Sequence, residues 1–194
     1  SYTGFMSHAK SYVITNCRLP GSAESSQWKT ITVLHGKIVR ISQIPGDEGK
    51  GLPVFDARGN LVVPGFIEFH IHGCGDVSLE QESAGNDNLH KMCILLEEFG
   101  INTLLPTIQC SEPTLRRLGQ ELDASPRLRT HIPGLYVEGP FVHPDKRGGI
   151  LQTHIETPDG ERLKRLQEAA GGHIKIMTIA PELTGAEEVL KVMD

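Results

Sequence analysis

Apolar positions along the chain change their period near residue 60. Before that point they fall in short alternating runs, "SYVITNCRL", "KTITVLHGKIVRISQIP" and "PVFDARGNLVV", separated by turn-forming residues. Alternation of this kind predicts half-buried strands, and His35-Gly36 between two such runs predicts a hairpin turn. The first 60 residues therefore read as a small β layer. Afterwards an apolar strand, a loop and a helical stretch recur in turn, which is the βα rhythm of a parallel sheet.

Four such units can be laid out. The strands are "LVVPGFIEFHIH", "INTLLPTI", "IPGLYVEG" and "IKIMTIAPE"; the helical stretches after them are "AGNDNLHKMCILLEEFG", "SEPTLRRLGQELDA", "TPDGERLKRLQEAAGG" and "TGAEEVLKVMD". Ser111 is placed to cap the second helix and Pro113 suits its first turn, while Gly100 stops the first. Four units are half of an eight-unit barrel, which takes about 250 residues when complete. Two architectures remain open at this point: a small open α/β sheet, or the first half of a longer barrel. The "IKIMTIA" strand would be an uncovered edge.

Composition narrows the function classes. The 194 residues carry a formal net charge of -5 with 22% charged and 38% hydrophobic residues. That balance offers no basic stripe for nucleic acid or an anionic membrane surface. No apolar run approaches the roughly 20 residues of a membrane span, and no leader pattern opens the chain, so a cytoplasmic location is expected. Cys17, Cys74, Cys93 and Cys110 lack paired spacing, and reduced thiols are expected.

The candidate chemistry begins at "FHIHGCGD". Residues i and i+2 of a strand share a face, so His70 and His72 can aim at one point, where two imidazoles suit zinc or a similar ion. Gly73 and Gly75 then let the backbone turn away. Glu138 ends the apolar "LYVE" strand, where a carboxylate is costly unless it is paired or holds a metal. The alternative is an ion pair to Lys146 or Arg147. Carboxyl ends of parallel barrel strands share one rim, so His70, His72 and Glu138 are expected to converge. His143 faces either the same cleft or solvent. His131 is assigned a structural role, and His35, His90, His154 and His173 are placed at the surface. Glu182 supports the site or caps the next helix; Lys175, near the start of its strand, is not taken as a ligand.

The HxH strand, the "VEGPF" strand with its basic loop "HPDKRGG", and "TIAPE" occur in one order at βα spacing. In this combination the chain resembles the N-acetylglucosamine-6-phosphate deacetylases of the amidohydrolase superfamily, over nearly its whole length. The resemblance implies the amino-terminal half of a TIM-like (β/α)8 metal-dependent hydrolase barrel at 61–194, preceded by part of a small β-sandwich domain at 1–60. It implies His70, His72 and Glu138 as ligands of one or two divalent ions, zinc first, with Fe, Mn or Co as alternatives. The implied reaction is hydrolysis of the acetamido group of a phosphorylated amino sugar, giving glucosamine 6-phosphate and acetate. The implied substrate contacts are His143, Gly149 and Ile150. Ile150 stands where the family commonly has His or Gln, which leaves Gln152 or His154 to supply that contact. The full-length family enzyme is expected to be a homodimer.

The proton-transferring aspartate and two further metal histidines of the family fall beyond residue 194, so the 194-residue polypeptide alone is expected to be inactive. Two other readings stay open: an amidohydrolase acting on another N-acyl or cyclic amide, and a non-catalytic fragment acting as a binding or assembly module.

Overall fold

The computed structural model describes residues 10–21, 28–80 and 87–193. The chain divides into two compact units, Ser1–Pro64 and Gly65–Asp194.

The first unit is a four-stranded sheet of β1 (Tyr12–Cys17), β2 (Lys29–Leu34), β3 (Lys37–Ser42) and β4 (Val54–Asp56), in the order β3-β2-β1-β4. β1 and β3 run antiparallel to β2, whereas β4 runs parallel to β1. The β2-β3 hairpin turns through His35 (φ 51°) and Gly36 (φ 78°). Two successive positive φ values give a turn whose twist matches that of the strands, and glycine takes the second at no steric cost. Ile14, Cys17, Ile31, Val33 and Ala57 form the core of this unit.

The second unit holds a wholly parallel four-stranded sheet. β5 (Phe66–Ile71) is followed by the short β6 (Gly73–Cys74) and β7 (Val77–Ser78), which pair with each other. Then come α1 (Asn88–Glu97), β8 (Ile101–Gln109), α2 (Glu112–Ala124), α3 (Pro126–His131), β9 (Leu135–Glu138), α4 (Gly160–Ala169), β10 (Ile174–Met177) and α5 (Ala186–Met193). The sheet order is β10-β9-β8-β5, so each strand lies beside the one that precedes it in the βα series. This is the α/β class with a parallel sheet that the alternating pattern predicts.

Boundaries differ in places from the sequence reading. The first parallel strand starts at Phe66 rather than Leu61, because Pro64 lacks an N–H for the ladder and Leu61 bridges Arg18 within the first unit. The first helix is described only from Asn88, and residues 84–86 of its predicted span lie outside the described residues. The helix α3 was not predicted. Its signals are local: Ser125 Oγ accepts from Leu128 N at 3.3 Å and Pro126 opens the first turn.

Helices bury one stripe each. α2 turns Leu115, Leu118 and Leu122 inward and α4 turns Leu163 and Leu166 inward, packing with Leu104, Ile108, Leu135, Val137 and Phe141 in one core. Ser111 Oγ caps α2 through Thr114 N at 3.5 Å, and Asp159 Oδ1 caps α4 through Glu161 N at 2.8 Å. The four cysteines are free, and burial pushes the Cys110 thiol up to about 12.

One ion cluster ties α4 to the loop before it and to α2. Arg162 donates to Glu156 Oε2 at 2.6 Å and Oε1 at 2.9 Å, and also to Glu112. The guanidinium hydrogen bond holds the Glu112 carboxyl below the usual carboxylate range. A carboxylate with a depressed folded pKa stabilises fully above its unfolded value, about 4.3 for glutamate, and loses that contribution as pH falls through the folded value. Glu112 is 40% exposed, so solvent screening keeps the effect small. Thermal unfolding of Glu112→Gln is therefore expected to show a deficit of about 1 kcal/mol or less at pH 7. The deficit should vanish on acidification below the glutamate range. A deficit that grows as pH falls would contradict this assignment.

Candidate metal centre

β5 delivers two imidazoles to one end of the parallel sheet. His70 lies in the strand and His72 directly follows it, and the rings meet edge-on with centroids 5.2 Å apart. The strand end is fixed by side chains. Glu68 Oε1 accepts from His70 N at 3.0 Å, and Thr107 Oγ1 on β8 accepts from Ile71 N at 3.0 Å.

The backbone then turns at Gly73, where a Cβ would stand 2.3 Å from Val77 O, and at Gly75, whose φ is +58°. The first position has no room for a side chain and the second has a conformation that disfavours one. The two glycines thus allow the small β6-β7 hairpin to fold back beside the histidines.

Glu138 reaches the same point from the carboxyl end of β9. His70 Nε2 is 3.1 Å from Glu138 Oε1 and His72 Nε2 is 3.5 Å from Oε2. One ligand atom from each of the three residues lies within 4.8 Å of the others. Donor atoms held tetrahedrally at about 2.1 Å from a divalent ion stand roughly 3.4 Å apart. The two imidazole–carboxylate separations, each to a different oxygen of Glu138, bracket that value, so the donor set suits a divalent ion. The imidazoles are 42% and 46% exposed, which leaves them open to an incoming ion. Glu138 makes these contacts instead of the alternative pair with Lys146 or Arg147; Arg147 Nη1 donates to Ile150 O.

Three supporting residues escape a reading of the sequence. The ring of Tyr136 packs edge-on against His70 with centroids 5.2 Å apart, and its hydroxyl is 2.8 Å from Thr178 Oγ1 on the segment after β10. Tyr136 lies two residues before Glu138 on one strand, and the same period that joins His70 to His72 could have found it. Glu80 Oε1 stands 3.9 Å from His72 Nδ1 and accepts from Gln109 N at 2.8 Å. No spacing in the sequence announces Glu80 or Gln109.

The other candidate residues are placed as follows. His143 caps the short 3-10 turn Pro144–Lys146, its Nδ1 accepting from Asp145 N at 3.2 Å, and it is not part of the three-residue group. Gly149 O accepts from Gln109 Nε2 at 3.4 Å. Ile150 is buried, 6% exposed, with Cδ1 directed toward Gly139. His131 Nδ1 is 2.9 Å from Asn102 O, a tie at the amino ends of β8 and β9. Two histidines placed at the surface are not free there. His154 is half-buried against Gln109, and His173, whose side chain is 15% exposed, pairs with Asp123 at 2.9 Å. Glu182 and Lys175 are exposed.

No protein-family model matches the chain. Among curated proteins, N-acetylglucosamine-6-phosphate deacetylase of Lysinibacillus sphaericus is 27% identical over 176 residues, covering 89% of this chain and 44% of the relative. The enzyme of that name from Bacillus subtilis is 30% identical over 154 residues, covering 76% and 38% respectively. The chain thus spans less than half the length of these curated relatives.

Solved structures point the same way for the fold. An N-acetylglucosamine-6-phosphate deacetylase from Pasteurella multocida superposes with a TM-score of 0.76 at 23% identity, over 94% of this chain and 48% of that one. A guanine deaminase from C. acetobutylicum shares the fold more distantly, with a TM-score of 0.53 at 18% identity over 94% of this chain and 49% of that one. In sequence and in structure alike, over most of its own length and less than half of theirs, the chain is similar to the N-acetylglucosamine-6-phosphate deacetylases.

Proposed function

We propose that the protein containing this chain is a metal-dependent amidohydrolase that removes the acetyl group from N-acetylglucosamine 6-phosphate. The observation that carries the reading is the convergence of His70, His72 and Glu138 at metal-ligand separations on one end of a parallel sheet. The similarity to named deacetylases supplies the substrate class.

In this reading residues 61–194 are the first four βα units of a TIM-like barrel, and residues 1–60 belong to a small β-sandwich domain. The sequential strand order β5, β8, β9, β10 supports the first part, since a barrel is wound in that order. Zinc is the proposed ion, because two imidazoles and one carboxylate match its usual donors. Such an ion, when bound, polarises the amide carbonyl and makes water nucleophilic near neutral pH.

The chain's own residues do the positioning. Glu138 draws both imidazoles to one point, Tyr136 packs against the His70 ring, and Glu80 lies beside the free nitrogen of His72. Carboxylate partners of this kind set the orientation of a ligating imidazole. His143 and Gly149 are the proposed substrate contacts on the loop after β9. Ile150 is proposed with them, its buried side chain leaving the backbone as the group it offers. The intact protein is proposed to be a cytoplasmic homodimer acting on a small molecule.

The test is acetate release from N-acetylglucosamine 6-phosphate by the intact protein, with N-acyl amino acids and cyclic amides run beside it. Turnover of the sugar phosphate, lost on chelation and restored by zinc, is the expected result. Exclusive turnover of another amide would replace this substrate with that one.

A further inference from the structure

Tyr136 stands two residues before Glu138 on β9, so the two side chains leave the strand on the same face. In register it lies between Thr107 on β8 and Ile176 on β10. Thr107 is small and fully buried, and its hydroxyl is committed, accepting from Ile71 N at 3.0 Å and donating to Leu105 O at 3.3 Å. His70 is two strands away from Tyr136, a separation of about 10 Å between backbones. The tyrosine ring closes that gap, meeting the His70 ring at 88° with centroids 5.2 Å apart.

His72 also meets the His70 ring edge-on, at 77° and the same 5.2 Å. Perpendicular rings at about 4.5–7 Å are the arrangement that aromatic quadrupoles favour, so His70 is gripped by two neighbours that each prefer one orientation. Among the described residues His70 has Glu138 as its only ion-pair partner, whereas His72 also has Glu80 beside Nδ1. The group that orients His70 from behind is therefore an aromatic ring, not a second carboxylate.

The hydroxyl fixes the tyrosine in turn. It lies 2.8 Å from Thr178 Oγ1, and Thr178 N donates to Val137 O at 2.9 Å. A β-branched side chain on an anchored backbone has few rotamers, so Thr178 holds the hydroxyl at a set place. The ring cannot swing away from His70 without breaking that bond.

We infer that Tyr136 is a positioning residue for the metal centre: anchored by Thr178, its ring holds His70 with Nε2 turned toward the ion. This rests on the metal reading of His70, His72 and Glu138, and it adds the end of β10 to the parts on which the site depends. His70 Nε2 faces Glu138 Oε1 at 3.1 Å, the orientation that a shared ion requires.

Zinc titration of the stripped intact protein, the absorption spectrum of its cobalt(II) form and proton NMR of the metal-free His70 ring test the inference together. Tyr136→Leu removes the ring and should weaken zinc binding by about 10- to 100-fold, the loss that follows removal of a group supporting a metal ligand. Its cobalt spectrum should change and its His70 signals should shift, neither of which a general loss of stability would produce. Tyr136→Phe keeps the ring and should restore the cobalt spectrum, with zinc weakened by only about 2- to 5-fold, within the worth of one hydrogen bond. Thr178→Val should match it, and the double variant should be no weaker than either single one. If the leucine variant does not fold, Thr178→Val decides, because it frees the hydroxyl and leaves both rings in place. Unchanged zinc affinity and His70 signals in the variant that decides, or equal losses in Tyr136→Leu and Tyr136→Phe, overturn the inference. A protein that binds no zinc while its His70 signals still shift in Tyr136→Leu overturns the metal reading and leaves the packing of Tyr136 on His70 standing.

Discussion

Glu138→Gln is expected to leave the protein unable to retain a divalent ion. Glu138 is the one formally negative group among the three converging residues, and both imidazoles address it, at 3.1 and 3.5 Å. Glutamine preserves shape and one acceptor oxygen but removes the charge that offsets a dication. Loss of a residue that merely supports a ligand costs about 10–100-fold in metal affinity, so loss of the charged ligand itself should cost at least about 100-fold. The measurement is metal content by elemental analysis after dialysis, together with calorimetric titration of zinc into the stripped protein. His70→Ala and His72→Ala should move in the same direction. Their half-exposed rings contribute little to stability, so both variants should fold. Stoichiometric zinc retained by Glu138→Gln would remove the metal centre from this end of the sheet.

The elements that the sequence makes legible are those with a strong local signal. The His35-Gly36 turn, the Ser111 cap and the apolar strands at 101–109 and 135–138 each follow from a few adjacent residues. The unpredicted helix α3 fails for the opposite reason: six residues hold no full apolar period, although Ser125 and Pro126 carry the start signal. The contacts of the site divide in the same way. The two-residue period of a strand relates His70 to His72 on β5 and Tyr136 to Glu138 on β9, whereas Tyr136 meets His70, and Glu80 meets Gln109, only through tertiary folding. The surface assignment of His154 and His173 fails because their partners, Gln109 and Asp123, are 45 and 50 residues away in sequence. A lone histidine gives no local sign of such a partner.

Phe141→Ala should be among the most destabilising single substitutions in the second unit. Phe141 is fully buried at 0% exposure and lies outside any helix or strand, three residues past Glu138. Its ring belongs to the same core as Leu135, Val137 and Leu166, and its carbonyl accepts from Ala180 N at 2.8 Å. The residue thus pins the start of the long loop after β9 to the core beneath it. Truncating a buried phenylalanine leaves a cavity that its neighbours fill only in part, at a cost of about 3–5 kcal/mol. In a unit of this size each kcal/mol moves the midpoint by a few degrees, so a fall in Tm of roughly 10 °C or more is expected. Denaturant unfolding should show a lower midpoint at an unchanged slope, the signature of lost stability without a change in the surface exposed. The second consequence reaches the site. Gly149 and Leu151 bond to Gln109 from the far end of this loop, and Glu156 N donates to Pro140 O at its base. A loop freed at Phe141 should therefore expose the Leu151 amide to exchange while His70, His72 and Glu138, which are held by β5 and β9, still bind zinc. A loss below about 1 kcal/mol would mean that the core closes over the missing ring, and that the loop is anchored by its hydrogen bonds alone.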